Sequence, residues 1–130
     1  MKKSSGSLAV LCLFLPALAL AHAHVKKSDP AKDAVLSAAP KKVSIDFSED
    51  LELAMSKLEV KNSKTGETVC EGKVIAGPSG KNGLERSLKP LKSEKATYEV
   101  NWKAVSKDAH KMQGSYKFSV DPGAKEKKSE

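Results

Sequence analysis

Cysteine is scarce in this chain: Cys12 and Cys70 are the two it has. Cys12 falls in an apolar N-terminal run, so once that run is removed Cys70 stands alone and no intramolecular disulfide can form. Leu11 precedes Cys12 where a lipoprotein signal would want a small residue, which argues against a lipid anchor. Methionine is equally thin, with Met1, Met55 and Met112 and no methionine-rich stretch, so soft donors for a monovalent metal are too few for a dedicated site. Aromatic residues make up 5% of the chain. No segment carries an amphipathic helical repeat, no internal repeat is visible, and no nucleophile lies in a pattern with a general base. The one long apolar run, Leu8 to Leu20, is too short and wrongly flanked to span a membrane.

What that run does fit is a secretory signal peptide over residues 1–21. Met1-Lys2-Lys3 is the basic start and Ala19-Leu20-Ala21 the small-x-small cleavage triplet. The twin lysines are not a twin-arginine signal, so Sec-type export to a periplasm is expected. Loss of Lys2 and Lys3 lowers the formal charge from +7 to +5. Lysine and glutamate are interleaved along the chain, which reads as a solvated surface, and export makes nucleic acid an unexpected partner. Residues 22–122 suffice for one domain with its own core, and residues 123–130 form a charged tail expected to be disordered.

Period-two alternation dominates the body of the chain. Val43, Ile45 and Phe47 alternate with polar neighbours, as do Leu58 and Val60. So do Tyr98, Val100, Trp102 and Ala104, and then Tyr116, Phe118 and Val120. One apolar and one wet face is the signature of antiparallel sheet packed on one side. Weaker strands are expected at His24 to Ser28, Thr68 to Ile75 and Leu84 to Leu88. Asn62 to Gly66 reads as a hairpin connection, Gly77 to Gly83 as a mobile loop, and Glu49 to Ser56 as a crossing loop with a short helical turn. About seven short strands in one domain predict an all-β fold, a Greek-key β-sandwich or barrel. Met55 is expected to fill a gap under a loop, and Cys70 to be a small buried hydrophobe or a soft ligand.

The histidines are distributed unusually. The chain has three, and all lie at two loci: His22 and His24 beside the cleavage region, and His110 in Asp108-Ala109-His110. Cleavage after Ala21 makes His22 the first residue, and cleavage after Ala23 does the same for His24. An N-terminal histidine offers its α-amine and its ring nitrogen to one ion. Asp108 and His110 are two apart, so they point to one side if the backbone is extended, or converge through a turn if it is not. Amine, two imidazoles and one carboxylate suit a single tetragonal Cu(II) ion, whereas zinc prefers tetrahedral geometry. Met112 lies close enough in sequence to cover such an ion. The alternative is that these are exposed residues with no shared role.

Several segments taken together resemble the CopC/PcoC family of periplasmic copper-binding proteins, including its YobA-like members. They are His22-Ala23-His24-Val25-Lys26 with Pro30-Ala31, then Ile45-Asp46-Phe47-Ser48-Glu49. The longest runs from Tyr98 to Lys111, closed by Gly114-Ser115-Tyr116-Lys117-Phe118-Ser119-Val120. The resemblance implies a cupredoxin-like, Ig-like topology and a bidentate His22, and with it cleavage after Ala21. It also implies His110 as the second imidazole, Asp108 as the carboxylate, and Glu49 as an acidic residue near the metal. Unlike members with a methionine-rich loop, this chain has Met55 alone in that region.

The function expected is sequestration of one Cu(II) ion for copper homeostasis or resistance, or its delivery to a CopD-type inner-membrane importer, by a monomer that is not an enzyme. Two other classes fit parts of the pattern. One is a copper-dependent oxidative enzyme of the histidine-brace type found in lytic polysaccharide monooxygenases, and the other is a metal-free interaction module. Oxygen consumption with bound copper marks the first, and absence of tight copper binding marks the second.

Overall fold

The computed structural model describes residues 24–124. The expected signal peptide, His22 and the tail beyond residue 124 lie outside the described residues. Among the described residues eight strands form two sheets: β1 (Val25–Asp29), β2 (Val35–Leu36), β3 (Lys42–Phe47), β4 (Lys57–Asn62), β5 (Cys70–Gly77), β6 (Gly80–Leu88), β7 (Ala96–Val105) and β8 (Lys111–Val120). One sheet has the order β1-β3-β6-β5 and the other β2-β8-β7-β4. A single 3-10 turn, Leu53–Met55, interrupts the crossing from β3 to β4, within the segment expected to hold a helical turn.

The alternating segments supply the interior. Val43, Ile45 and Phe47 of β3, Leu58 and Val60 of β4, Val100 of β7, and Phe118 and Val120 of β8 are all essentially inaccessible, with Leu84 of β6 among them. The apolar faces of the two sheets meet there, and their burial is the main force holding the sandwich closed. Cys70 is buried in this same core, so its structural reading holds and the thiol is withdrawn from any ligand role. Arg86 of β6 reaches between the sheets, its Nη1 donating to Leu58 O at 2.8 Å.

Between β4 and β5 the chain changes sheets. After the Asn62–Gly66 turn, Val69 N–H donates to Val60 O at 2.8 Å, and Thr68 bridges to Lys61. From Cys70 onward the chain pairs with β6 in the other sheet.

The all-β sandwich is as expected; among the described residues β2 is the strand beyond the expected seven or so, having two residues, too few to show a period, and resting on parallel pairing of Val35 and Leu36 with Ser119 and Val120. Three expectations need correction. Gly77 to Gly83 is not a loop: β5 and β6 turn at Pro78-Ser79, and β6 runs on from Gly80. Gly83 serves close approach there, since a Cβ on it would fall 2.7 Å from Asp46 Oδ1. Met55 does not fill a gap; it is 56% exposed on the 3-10 turn. Met112 packs half-buried against the core, facing inward from the β8 position opposite Ala104.

β7 and β8 form the longest ladder, from Ala96↔Val120 to Val105↔Lys111. Trp102 stands opposite Gly114, and its ring meets Phe47 edge-on at a centroid distance of 5.0 Å. On the outer face of this sheet Lys61, Glu99 and Lys117 alternate in sign across three strands, whereas Lys57 stands directly opposite Lys103.

Candidate metal centre

β7 ends at Val105 and β8 begins at Lys111. The link between them is a tight turn: Ser106 N–H donates to His110 O at 2.9 Å and Ala109 N–H to Ser106 O at 2.9 Å. Ala109 closes it in the left-handed region, with φ of 68°, at the position a three-residue hairpin loop usually gives to glycine. It is this turn, not an extended strand, that gathers the pair anticipated from sequence. His110 Nδ1 lies 3.0 Å from Asp108 Oδ2.

A buried hydroxyl fixes the pair from beneath. Ser106 is 1% exposed. Its Oγ donates to Asp108 Oδ1 and accepts the His110 backbone N–H at 3.1 Å. His110 O also lies 3.3 Å from the same oxygen, but the hydroxyl has one proton and the charged carboxylate is the stronger acceptor. The Ser106 hydrogen bond, and secondly the neighbouring His110, hold the Asp108 carboxyl below the ordinary aspartate value. Asp108 is therefore an anion at neutral pH.

The 3.0 Å separation is that of a direct hydrogen-bonded ion pair, and it also matches two donors each ~2.0–2.1 Å from a metal and at right angles, about 2.9 Å apart; an ion held by both displaces the proton between them. Both side chains remain more than half exposed, so an ion from solvent reaches them. Among the described residues, no third His, Cys, Asp or Glu completes a cluster with them.

The crossing loop after β3 is fastened to this turn. Leu51 bridges to Ser106, Glu52 N–H donates to Val105 O at 2.7 Å and Lys107 N–H to Asp50 O at 3.0 Å. Lys107 Nζ pairs with Glu52 at 3.2 Å. The same loop receives the start of the described chain: Ser48 N–H donates to His24 O at 2.9 Å, and His24 N–H donates to Ser48 Oγ at 3.0 Å. Glu49 is half-buried between these attachments. Among the described residues no hydrogen bond or ion pair joins it to Asp108 or His110. His24 is exposed and enters the arrangement through its backbone.

Two participants escaped the sequence reading, Ser106 and Ser48. For the first the sequence offered only a serine close to the pair, a residue type that often hydrogen-bonds to backbone groups within four positions, as Ser106 does to His110 N–H. Nothing local marks Ser48, whose partner is 24 residues away.

Known proteins resemble this chain in sequence and in fold. The chain is 33% identical over 113 residues to the Copper transport protein CutJ of Bacillus subtilis, covering 87% of this chain but 20% of that much longer protein. It is 35% identical over 109 residues to Copper resistance protein C of Escherichia coli, covering 78% of this chain and 83% of that one. The crystal structure of PcoC, a methionine-rich copper resistance protein from Escherichia coli, superposes with a TM-score of 0.66 at 34% identity, covering 78% of this chain and all of that one. Residues 25–121, which include both sheets, the crossing loop and the Asp108–His110 turn, match the CopC domain, and the chain belongs to that family.

Proposed function

We propose that this protein captures a single Cu(II) ion outside the cytoplasm and holds or hands it on, serving copper resistance or homeostasis without catalysing a reaction. Export through a signal peptide over residues 1–21 delivers it to the periplasm as a monomer. Cleavage after Ala21 exposes the amine of His22, which chelates the ion together with its own ring. His110 adds the second imidazole and Asp108 the carboxylate. An inner-membrane transporter of the CopD type is the proposed recipient.

The observation that carries this reading is the 3.0 Å approach of His110 Nδ1 to Asp108 Oδ2 at an exposed turn. The hydrogen bonds of His24 to Ser48 support it. They bring the described chain in on the loop that Asp50 ties to Lys107, and two residues of extended chain span up to ~7 Å. His22 is two residues upstream of that anchor. A carboxylate in the donor set also argues for storage, because it takes a position that an oxygen-activating site leaves open. Cys70 is buried in the core and no methionine-rich stretch accompanies Met55, so soft donors are too few for a dedicated monovalent site, which favours the divalent ion.

The test is a copper titration of the processed chain against a version carrying one extra residue before His22. The extension turns the amine into a peptide amide and should weaken binding sharply. Equal affinity would count against the chelate. Bound copper should also consume no oxygen in the presence of reductant.

A further inference from the structure

Asp108 and His110 face one another across an ion pair of 3.0 Å, and a buried group beneath them holds that pair in place. Asp108 and His110 are both exposed, and a solvent-facing carboxylate and imidazole ordinarily sample several rotamers, each of which must be given up on binding. Among the described residues, the buried polar group that touches both is the Ser106 hydroxyl. It reaches Asp108 through the side chain and His110 through the backbone N–H. Ser106 is itself locked, because its N–H is bonded to His110 O and it bridges to Leu51 of the crossing loop.

We infer that Ser106 is a positioning residue of the copper site: its hydroxyl pins Asp108 Oδ1 so that Oδ2 stays directed at His110 Nδ1 and is ready for the ion. The inference rests on the proposed copper-binding function and adds to it a residue that does not touch metal. Its chemistry is that of a hydrogen bond from behind a ligating carboxylate. Such a bond orients the ligand and leaves the second oxygen free to coordinate, and its loss typically weakens metal affinity by ~10–100-fold.

Ser56 supplies a control within the same region. It is 6% exposed, accepts the Val105 N–H at 3.1 Å and donates to Glu52 O at 2.9 Å. Like Ser106 it is a buried serine making two hydrogen bonds at the end of β7, but it touches neither Asp108 nor His110. The experiment compares Ser106→Ala, Ser106→Thr and Ser56→Ala by competitive Cu(II) titration and by the electron paramagnetic resonance spectrum of the loaded protein. Ser106→Ala should bind copper ~10–100-fold more weakly with a changed spectrum, Ser106→Thr should recover most of the affinity by restoring the hydroxyl, and Ser56→Ala should bind as the parent does. Equal affinities in the two alanine variants, or a threonine variant as weak as the alanine one, would overturn the role of Ser106. Asp108→Ala and His110→Ala are measured alongside. If neither weakens binding, the copper site itself is wrong; if both do and Ser106→Ala does not, only the positioning role falls.

Discussion

Replacing Gly114 with alanine should destabilise the domain by displacing its one tryptophan. Gly114 lies opposite Trp102 on the inner side of the β7–β8 ladder. A Cβ there would sit 2.5 Å from Trp102 Cζ2, 2.8 Å from Cε2 and 3.1 Å from Nε1. Comfortable carbon–carbon contact is ~3.5–4.0 Å, so the indole must retreat by about 1 Å. It cannot do so freely, because its other side meets Phe47, which is completely buried. Overpacking of this kind costs ~1–3 kcal/mol, and loss of the edge-on aromatic pair adds ~0.5–1.5 kcal/mol. Restricting the unfolded chain by exchanging glycine for alanine returns ~0.4–1 kcal/mol. The net expectation is a loss of about 2 kcal/mol. Urea unfolding followed by circular dichroism reads the stability, and the fluorescence of Trp102, the sole tryptophan, reads its displacement. The same substitution made in a Trp102→Leu background should lose most of its cost, since the clashing ring is gone. An alanine variant more stable than its parent, with unchanged emission, would refute the reasoning.

Three further outcomes are expected. Burial pushes the Tyr116 hydroxyl up to about 12 from 10.0, so its contribution is intact below the ordinary value and is lost as pH rises through the window between the two. There stability should fall by ~1.4 kcal/mol per pH unit. Tyr116→Phe should flatten that part of the alkaline unfolding curve relative to the parent, and parallel curves would count against it. Ala109→Gly relieves a left-handed alanine at ~1–2 kcal/mol while adding ~0.4–1 kcal/mol of unfolded-state freedom, so denaturant midpoints should rise slightly; a clear fall would contradict the turn described. Lys103→Glu turns a like-charged cross-strand pair with Lys57 into an opposite-charged one. It should stabilise by ~0.2–1 kcal/mol at low salt, an effect that added salt should erase.

The sandwich was legible because its strands alternate cleanly. Val43-Ile45-Phe47 and Tyr116-Phe118-Val120 announce one wet and one dry face, and each of these side chains is in the core. What stayed hidden lacked a local pattern. β2 is held by a parallel partner more than 80 residues away, and two residues cannot display a period. The glycines of the β5–β6 hairpin imitated a loop, because glycine also serves where backbones and side chains approach closely. At the site, Asp108 and His110 were visible as residue types at short spacing. That a turn would face them toward each other depended on Ala109 adopting a conformation its sequence does not advertise. The hydroxyl beneath them is one serine among many in sequence and becomes distinctive only through burial.

Cys70 completes the core as a free thiol. In the exported setting proposed above, an unpaired thiol is open to oxidation and to capture by copper. Here Cys70 is 4% exposed, opposite Leu88 in the β5–β6 ladder, inside the closed sandwich. A thiol reagent in solution therefore gains access only when the sheets part, and the rate at which it labels Cys70 measures how often the intact protein opens.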